Sequence, residues 1–270
     1  MYGYVDVDEM LRIKTMYTAF EQTYKSDYEY AGEHHNFWEI VVVMEGELGV
    51  TAGSDVFVLK KGQAVIHEPM EFHRIWSEGD SCPQIIILSF SAVCMPKLSA
   101  KVFEIADLKK PKKILDDIKN NFEMLRINAI GIKDGVGYQK AIKNLEIFIL
   151  ETISQKIKKD STLNSQPAKN YTTIVNTMER NIDKNLSVGD IAKLCNMSEI
   201  NLKKTFSRYS GMGVMAYFNQ LKISGAITMI RSGMTIQETA NALGFSNQNY
   251  FSTVFKRTTG RPPSFYKEKY

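Results

Sequence analysis

The apolar positions of the chain follow a strand-like period in its first part and a helical period further on. Between residues 38 and 90, short runs of β-branched and aromatic residues are separated by turns that contain Gly, as in Trp38 to Val43 and Gln84 to Phe90. Strands of this length and spacing are typical of an all-β sandwich or barrel. From Ile114 onwards, apolar residues recur at three- and four-residue steps, which indicates amphipathic helices. The pattern predicts an α+β chain in which a β-barrel is followed by helices and then by an all-α domain.

Two helices are expected directly after the barrel, and a linker after them. The first apolar stripe runs from Ile114 to Leu125 and the second from Ile142 to Ile153, with a loop from Gly131 to Gly137 between them. These stripes either pack on the barrel only or also pair with the same helix of a second chain. Lys158 to Asn170 is polar and aperiodic and contains Pro167, a composition that is typical of a flexible linker.

These segments predict a first domain over residues 1–157, a linker over residues 158–170 and a helical domain over residues 171–270. The helical domain is expected to begin with a helix from Thr173 to Asn181, capped by Thr172 or Thr173. Residues 1–30 are aromatic and acidic, and we predict an irregular conformation for them.

The stretch from Leu186 to Tyr266 contains one unit written twice. Each copy encodes a short helix, a turn and a second helix, and Ser198 is a good N-cap for the second helix of the first copy. In the second copy Ser246 or Asn247 takes that place. The corresponding residues lie 48 positions apart before the second helix and 49 positions apart within it: Ala192 and Ala240, Leu202 and Phe251, Phe206 and Phe255, Gly211 and Gly260.

The second helix of each copy is expected to turn its apolar residues inward and its polar residues outward, because positions four apart share one face. Amides and hydroxyls read base edges in the DNA major groove, and Lys and Arg hold phosphates or guanine. The alternative is that this polar face only contacts solvent, as in any amphipathic helix, but two such units in tandem favour DNA binding. The candidate DNA-binding residues are Ile200, Lys203, Lys204, Ser207 and Arg208 in the first copy and Asn249, Tyr250, Thr253, Lys256 and Arg257 in the second.

The charge of the chain is unevenly distributed. Residues 171–270 contain 13 Lys and Arg against 6 Asp and Glu, whereas the residues before them contain 21 against 24. The formal net charge of +4 therefore divides into +7 for the helical domain and −3 for the rest. Positive charge is concentrated where contacts to DNA phosphates require it.

The remaining composition indicates a cytoplasmic protein with no membrane partner. The N-terminal MYGYVDVDEM has neither the basic nor the apolar region of a signal peptide, and no apolar run approaches the ~20 residues that span a bilayer. Cys82, Cys94 and Cys195 are odd in number and lack metal-type spacing. We interpret them as reduced, mostly buried thiols.

The tandem repeat resembles the double helix-turn-helix DNA-binding domain of the AraC/XylS family of transcription regulators. The resemblance extends over about 95 residues and is most specific in the closing segment from Tyr250 to Tyr266, which includes Gly260 and the pair Pro262-Pro263. It implies binding to double-stranded DNA, with RNA polymerase as a further partner and a homodimer as the assembly. The connecting helix of the family usually carries Arg where this chain has Lys222, and Lys lacks the bidentate fork of Arg.

The first domain resembles the cupin-type sensory domain that precedes the DNA-binding domain in many AraC-family regulators. In metal-binding cupins, two His and one Glu of the first motif join a His of the second, and this pattern maps onto His35, Glu39 and His73. Glu33 stands where the other His is usual, and His73 lies one residue out of register. Because the ligand set is incomplete, we expect no bound metal and no cofactor.

The resemblance implies an effector pocket inside the barrel, and such sites are apolar with a few placed polar groups. Aromatic and polar residues together suit a carbohydrate, and they suit other small molecules equally well. The N-terminal aromatic residues Tyr2, Tyr4, Tyr17 and Phe20 are hypothesised to close over the ligand as an arm. The candidate effector-binding residues are His35, Trp38, Glu39, Phe57, Phe72, His73 and Trp76.

Three functions remain open at the level of the sequence. The first is a transcription regulator, not an enzyme, whose DNA binding is controlled by a small-molecule effector. The second is a metal-dependent cupin enzyme fused to a DNA-binding domain, which requires the complete ligand set that this sequence lacks. The third is a DNA-binding protein whose barrel serves only for dimerisation. The sequence separates neither the first from the third nor an activator from a repressor.

Overall fold

The computed structural model describes residues 9–133, 135–155, 163 and 165–267. The chain divides into two compact units, one comprising Met1–Ala52 and Phe57–Leu163 and the other Gly53–Val56 and Asn164–Tyr270. The first unit is rich in strands and the second is helical, so the predicted α+β class is confirmed.

The described residues of the first unit form two β-sheets. A seven-stranded sheet has the order β8-β5-β2-β7-β1-β10-β9, and a three-stranded sheet has the order β4-β3-β6. The strands predicted between residues 38 and 90 are all present. The strands are β1 (Arg12–Thr23), β2 (Trp38–Glu45), β3 (Glu47–Ala52), β4 (Asp55–Lys60), β5 (Gln63–His67), β6 (His73–Ser77), β7 (Gln84–Val93), β8 (Val102–Glu104), β9 (Phe122–Leu125) and β10 (Asn128–Ile132).

The central strands β2 and β7 are buried on both faces, which explains why they are continuous apolar runs. Successive side chains of a strand point to opposite faces. Val41 and Val43 accordingly belong to a core cluster that includes residues of the three-stranded sheet. Ile40 and Val42 belong to a second cluster that includes the helices of this unit. By the same alternation, Glu39 faces the interior between the two sheets.

Two helices, α1 (Lys109–Asn121) and α2 (Gly137–Ile153), cover one face of the large sheet. The prediction of a helix that continues to Leu125 was wrong. The helix ends at Asn121, and the following residues form the hairpin of β9 and β10, with Arg126 in the left-handed region at φ 56°. Phe122, the first residue of β9, is buried, whereas Leu125 at the end of that strand is 60% exposed.

The prediction of an irregular conformation for residues 1–30 was wrong for residues 12–23, and residues 1–8 lie outside the described residues. β1 is a twelve-residue strand that pairs with β7 over most of its length. Tyr17 and Phe20 lie in this strand, so they do not belong to a free arm. Tyr2 and Tyr4, the other two residues of the hypothesised arm, lie outside the described residues.

The described residues of the second unit form six helices and, after them, a 3-10 turn. Its first helix begins earlier than predicted, because Ser165 is the N-cap and Pro167 lies in the first turn, where the missing N–H of Pro costs nothing. Residues 166–170, which were predicted to belong to the flexible linker, therefore form the first part of this helix. Residues 158–162 and 164 of the predicted linker lie outside the described residues. The elements are α3 (Gln166–Arg180), α4 (Val188–Leu194), α5 (Glu199–Ser210), α6 (Val214–Arg231), α7 (Ile236–Ala242), α8 (Gln248–Thr259) and the 3-10 helix Pro263–Tyr266.

The cysteines differ from the expectation of mostly buried thiols. Cys195 is buried, but Cys82 and Cys94 are exposed, and all three are free. In the part of the chain that the structure describes, no helix combines the length and the apolar character that a membrane span requires.

Candidate nucleic-acid interface and barrel cavity

The two sequence copies fold into two helix-turn-helix units with matching ends. The first helices, α4 and α7, each begin with a capping box, formed by Ser187 with Asp190 and by Thr235 with Glu238. The second helices, α5 and α8, each end at a glycine in the left-handed region, at φ 66° and 73°. The same boundary devices therefore recur in both copies.

The turn between the helices also has a common geometry. Asn196 in the first copy and Gly244 in the second both have positive φ, at 54° and 66°. The N-cap of α5 is Ser198, as predicted, and Asn247 rather than Ser246 caps α8. The extra residue of the second copy therefore lies before the cap, in the turn.

The inward faces of α5 and α8 are apolar and fully buried, as predicted. Leu202 and Phe206 of α5 are 0% exposed, and so are Phe251 and Phe255 of α8. Phe206 packs edge-on against Tyr217 of α6 with ring centroids 5.2 Å apart. Each second helix is thereby held in place by its buried side, and its other side is left at the surface.

All ten candidate DNA-binding residues are exposed on the outward faces of these helices. Ile200 is 81% and Tyr250 52% exposed, although an apolar and an aromatic side chain of this size usually gain from burial. Lys203 forms an ion pair with Glu199 at 3.1 Å, one turn away. Surface exposure is required for contact with DNA, and the contact itself stays a prediction.

Lys222 of the connecting helix α6 has a role that sequence reasoning did not find. Its side chain is buried, and the ammonium Nζ donates hydrogen bonds to the carbonyl oxygens of Lys184, at 2.7 Å, and Leu243, at 2.5 Å. Burial lowers the pKa of Lys222. The residue therefore joins the segment before the first helix-turn-helix unit to the end of α7, and the bidentate fork of Arg is not needed there.

The first unit contains a cavity of about 310 Å³ between its sheets and N-terminal segment. One end is polar and the other is aromatic and aliphatic, which is the composition of a small-molecule site. Of the predicted effector residues, His35, Glu39 and His73 line it. The lining also includes Thr18, Phe20, Tyr24, Tyr28, Tyr30, Glu33, Phe37, Ile75, Ile87, Ser89 and Ile127.

The other four predicted effector residues do not line this cavity. Trp38 packs on the core beside the helices, and Phe57 belongs to the core between the sheets. Phe72 is buried close to Gly32, where an added Cβ would meet its ring at 2.5 Å. Trp76 lies over Gly49 on the neighbouring strand, and its Nε1 donates to Glu78.

The polar end of the cavity brings together four groups that ligate metals in proteins. The ligand atoms of Glu33, His35, Glu39 and His73 all lie within 4.8 Å of one another. Nε2 of His73 lies 3.5 Å from Oε1 of Glu39 and 3.8 Å from Oε1 of Glu33. Nε2 of His35 lies 3.7 Å from Oε2 of Glu39. Glu33 therefore occupies the position that the sequence left incomplete.

The charges of this cluster shift the pKa of its members. Burial opposes the ionisation of Glu39, but His35, His73, His67 and Ser89 outweigh it and lower the pKa of Glu39 to about 2. Burial also opposes the charge of His73, but Glu33 and Glu39 outweigh it and raise the pKa of that imidazole. These shifts favour an ionised Glu39 and a positive charge on the imidazole of His73.

Comparison with known proteins agrees with both units. The AraC-like ligand-binding domain matches residues 18–94, and a helix-turn-helix domain matches residues 191–269. Together these matches cover more than half of the chain. The chain belongs to the AraC family. The first match contains the cavity residues from Thr18 to Ser89, and the second contains both candidate recognition helices of this AraC-family chain.

Similar proteins include curated regulators and a solved structure. The chain is 26% identical over 96 residues to AdaA of Bacillus subtilis, a bifunctional transcriptional activator and DNA repair enzyme. This match covers 35% of the chain and 46% of AdaA. The chain is also 32% identical over 85 residues to the transcriptional activator RhaR of Yersinia pseudotuberculosis. That match covers 30% of the chain and 29% of RhaR. The chain thus spans less than half the length of these relatives. An AraC-type regulator structure from Chromobacterium violaceum is 27% identical, with a TM-score of 0.35, over 37% of this chain and 89% of that chain.

Proposed function

We propose that this AraC-family chain is a sequence-specific DNA-binding transcription regulator whose DNA binding is controlled by a small molecule in the barrel cavity. The observation that carries the proposal is the pair of helix-turn-helix units, each with an exposed helix of amides, hydroxyls and cations above a fully buried apolar face. The basic charge of residues 171–270 supports it, because cations bind DNA phosphates whatever the sequence.

Each exposed helix supplies a distinct set of contacts in this proposal. In α5, Lys204 and Arg208 bind phosphate or guanine, and Ile200 contacts a thymine methyl group. In α8, Asn249 and Thr253 read base edges, and Lys256 holds the backbone. Two successive major-groove turns, about 34 Å apart on one face of the DNA, receive the two helices.

The DNA test uses Lys204→Ala in the full chain, with DNA from upstream of the chain's own gene. The variant is expected to bind DNA more weakly, and its DNA affinity should depend less steeply on salt concentration. If Lys204 contacts a base, the variant should also lose about 1–3 kcal/mol of binding free energy at that base pair. Lys119→Ala is the matched control, because Lys119 is exposed in the last turn of α1 in the other unit. Binding of Lys204→Ala as tight and as selective as that of the control would remove Lys204 from the interface.

The effector is proposed to occupy the cavity, where Tyr24 and Tyr28 stack with ring centroids 3.9 Å apart beside the polar cluster. A ligand shifts DNA binding only as far as it prefers one state of the protein over another. DNA affinity is therefore measured with and without a panel of sugars and related metabolites. A compound that acts through the cavity loses its effect in Tyr28→Ala and keeps it in Tyr138→Ala, a tyrosine outside the cavity lining.

A homodimer is part of the proposal. Large apolar side chains are exposed on the β9–β10 hairpin, where Ile130 and Ile132 are 62% and 50% exposed, and on α2, where Ile147 is 53% exposed. Exposed apolar groups of this kind are typical of association surfaces. Sedimentation of the full chain should show a dimer that Ile130→Asp weakens, and a monomer at all concentrations would contradict this part of the proposal.

A further inference from the structure

The polar end of the cavity has an excess of hydrogen-bond acceptors. Nδ1 of His35 lies 3.0 Å from the carbonyl oxygen of Phe37, and Nδ1 of His73 lies 3.2 Å from that of Glu71. A carbonyl only accepts hydrogen bonds, so each Nδ1 carries the proton in the neutral imidazole. The unprotonated Nε2 lone pair of each ring then points into the cluster.

The two Nε2 atoms are buried, and they have no hydrogen-bond partner among the described residues. The groups that they face are the carboxylates of Glu33 and Glu39, which are acceptors as well. Four acceptors that converge within 4.8 Å repel one another unless a cation lies among them. A single proton on one ring relieves only part of this repulsion, whereas a divalent ion interacts with all four groups at once.

We infer that Glu33, His35, Glu39 and His73 bind a divalent first-row transition-metal ion at the polar end of the cavity. Two imidazoles and two carboxylates suit Zn²⁺, Mn²⁺ or Fe²⁺, and the two carboxylates balance the charge of the ion. Ligand atoms that each lie about 2.1 Å from a tetrahedral ion are roughly 3.4 Å apart. Nε2 of His73 lies at nearly this separation from Oε1 of Glu39, at 3.5 Å, and from Oε1 of Glu33, at 3.8 Å. No two of the four ligand atoms lie more than 4.8 Å apart.

The surroundings of the four groups are those of a built metal site. In metalloproteins, a ligating His donates its second ring N–H to a carbonyl or carboxylate, which fixes the ring orientation. His35 and His73 both have that arrangement. Ser89 donates a hydrogen bond to Oε2 of Glu39 at 2.7 Å. Two backbone hydrogen bonds, at 2.9 and 3.0 Å, hold Glu33 beside His73.

The test is titration of the full chain, stripped of metal with a chelator, with Zn²⁺, Mn²⁺ and Co²⁺ by calorimetry. One ion per chain is expected to bind for at least one of the three metals, and Co²⁺ is expected to give the visible absorption of an imidazole- and carboxylate-bound ion. Glu33→Gln and His35→Gln should each weaken binding by a factor of about 100 or more, since each removes a ligand and loss of a mere supporting group costs about 10–100-fold. His34→Gln is the matched control, a neighbouring histidine outside the cluster.

The side chain of Glu33 lies near the surface and is 45% exposed, so Glu33→Gln is expected to fold. Its metal affinity therefore tests the inference even if His35→Gln does not fold. No stoichiometric binding of any of the three metals would overturn the inference, and so would equal affinities for wild type and Glu33→Gln.

The metal site rests on the proposed function in one respect only, which is that the ion would lie in the proposed effector cavity. Binding of the ion without DNA binding would contradict the proposed function alone. DNA binding without binding of the ion would contradict the metal site alone.

Discussion

Replacement of Lys222 by Met is expected to destabilise the helical unit selectively. Lys222 is 4% exposed, and its Nζ is the shared donor to the carbonyl oxygens of Lys184 and Leu243. Met fills a similar volume but donates no hydrogen bond, so both carbonyl oxygens lose this donor. A buried acceptor without a partner costs about 1–3 kcal/mol. Relief from burying the ammonium group offsets part of this cost, which leaves a net loss of about 2–4 kcal/mol.

The two tryptophans allow the loss to be assigned to one unit. Trp38 and Trp76, the only tryptophans in the sequence, both lie in the first unit. Their fluorescence during urea denaturation therefore follows that unit, whereas far-UV circular dichroism is sensitive to the helices of the second. Lys222→Met should lower the midpoint of the helical transition and leave the fluorescence transition unchanged. On heating, the helical transition should shift by roughly 8 °C or more.

Lys204→Met is the control for this experiment, because Lys204 is an exposed lysine of the same unit. Surface substitutions of this kind usually change stability by less than about 0.5 kcal/mol. If Lys222→Met and Lys204→Met had the same helical midpoint, the assignment of Lys222 as a structural donor would be refuted.

Three further predictions concern stability. In chemical denaturation, Gly244→Ala should destabilise the helical unit far more than Gly260→Ala. Both glycines have positive φ, which costs about 1–2 kcal/mol for Ala, but only at Gly244 would the added Cβ meet the backbone, at 2.1 Å from the carbonyl oxygen of Asp183. Ser198→Ala should cost about 1 kcal/mol in the same assay, because it removes the N-cap of α5. Burial lowers the pKa of His67 to about 4 from 6.5, so its contribution to stability is complete above pH 6.5 and is lost as the pH falls towards 4. In urea denaturation followed by tryptophan fluorescence, His67→Gln should reduce the loss of unfolding free energy between pH 6.5 and pH 4 by up to about 3 kcal/mol.

The central strands and the tandem repeat were predictable because their patterns are local. β2 and β7 are apolar at successive positions since both faces are buried. The repeat positions alternate between a buried and an exposed helix face. β1 was missed because register shifts near Ile13 and Met16 interrupt the two-residue alternation by which a strand is recognised. β9 was missed because Phe122 and Leu125 happen to continue the helical spacing of α1.

The long-range features of the two sites could not be read from spacing alone. The acceptors of Lys222 lie 38 and 21 residues away in the sequence. Glu33 meets His73 through an isolated antiparallel bridge, 40 positions apart, which depends on how the segment before β2 crosses β6. Tyr24, Tyr28 and Glu33 belong to a segment without periodicity, and only the fold brings them to the cavity.

Hydroxyl-radical footprinting combined with guanine methylation interference measures whether α5 and α8 both bind the DNA major groove. The full chain is mapped on its own upstream DNA, beside Lys204→Ala and Asn249→Ala. We expect two contacted major-groove segments on one face of the DNA, about one helical turn apart. Lys204→Ala should affect one segment and Asn249→Ala the other. Protection of a single segment, or loss of the same contacts in both variants, would contradict this expectation.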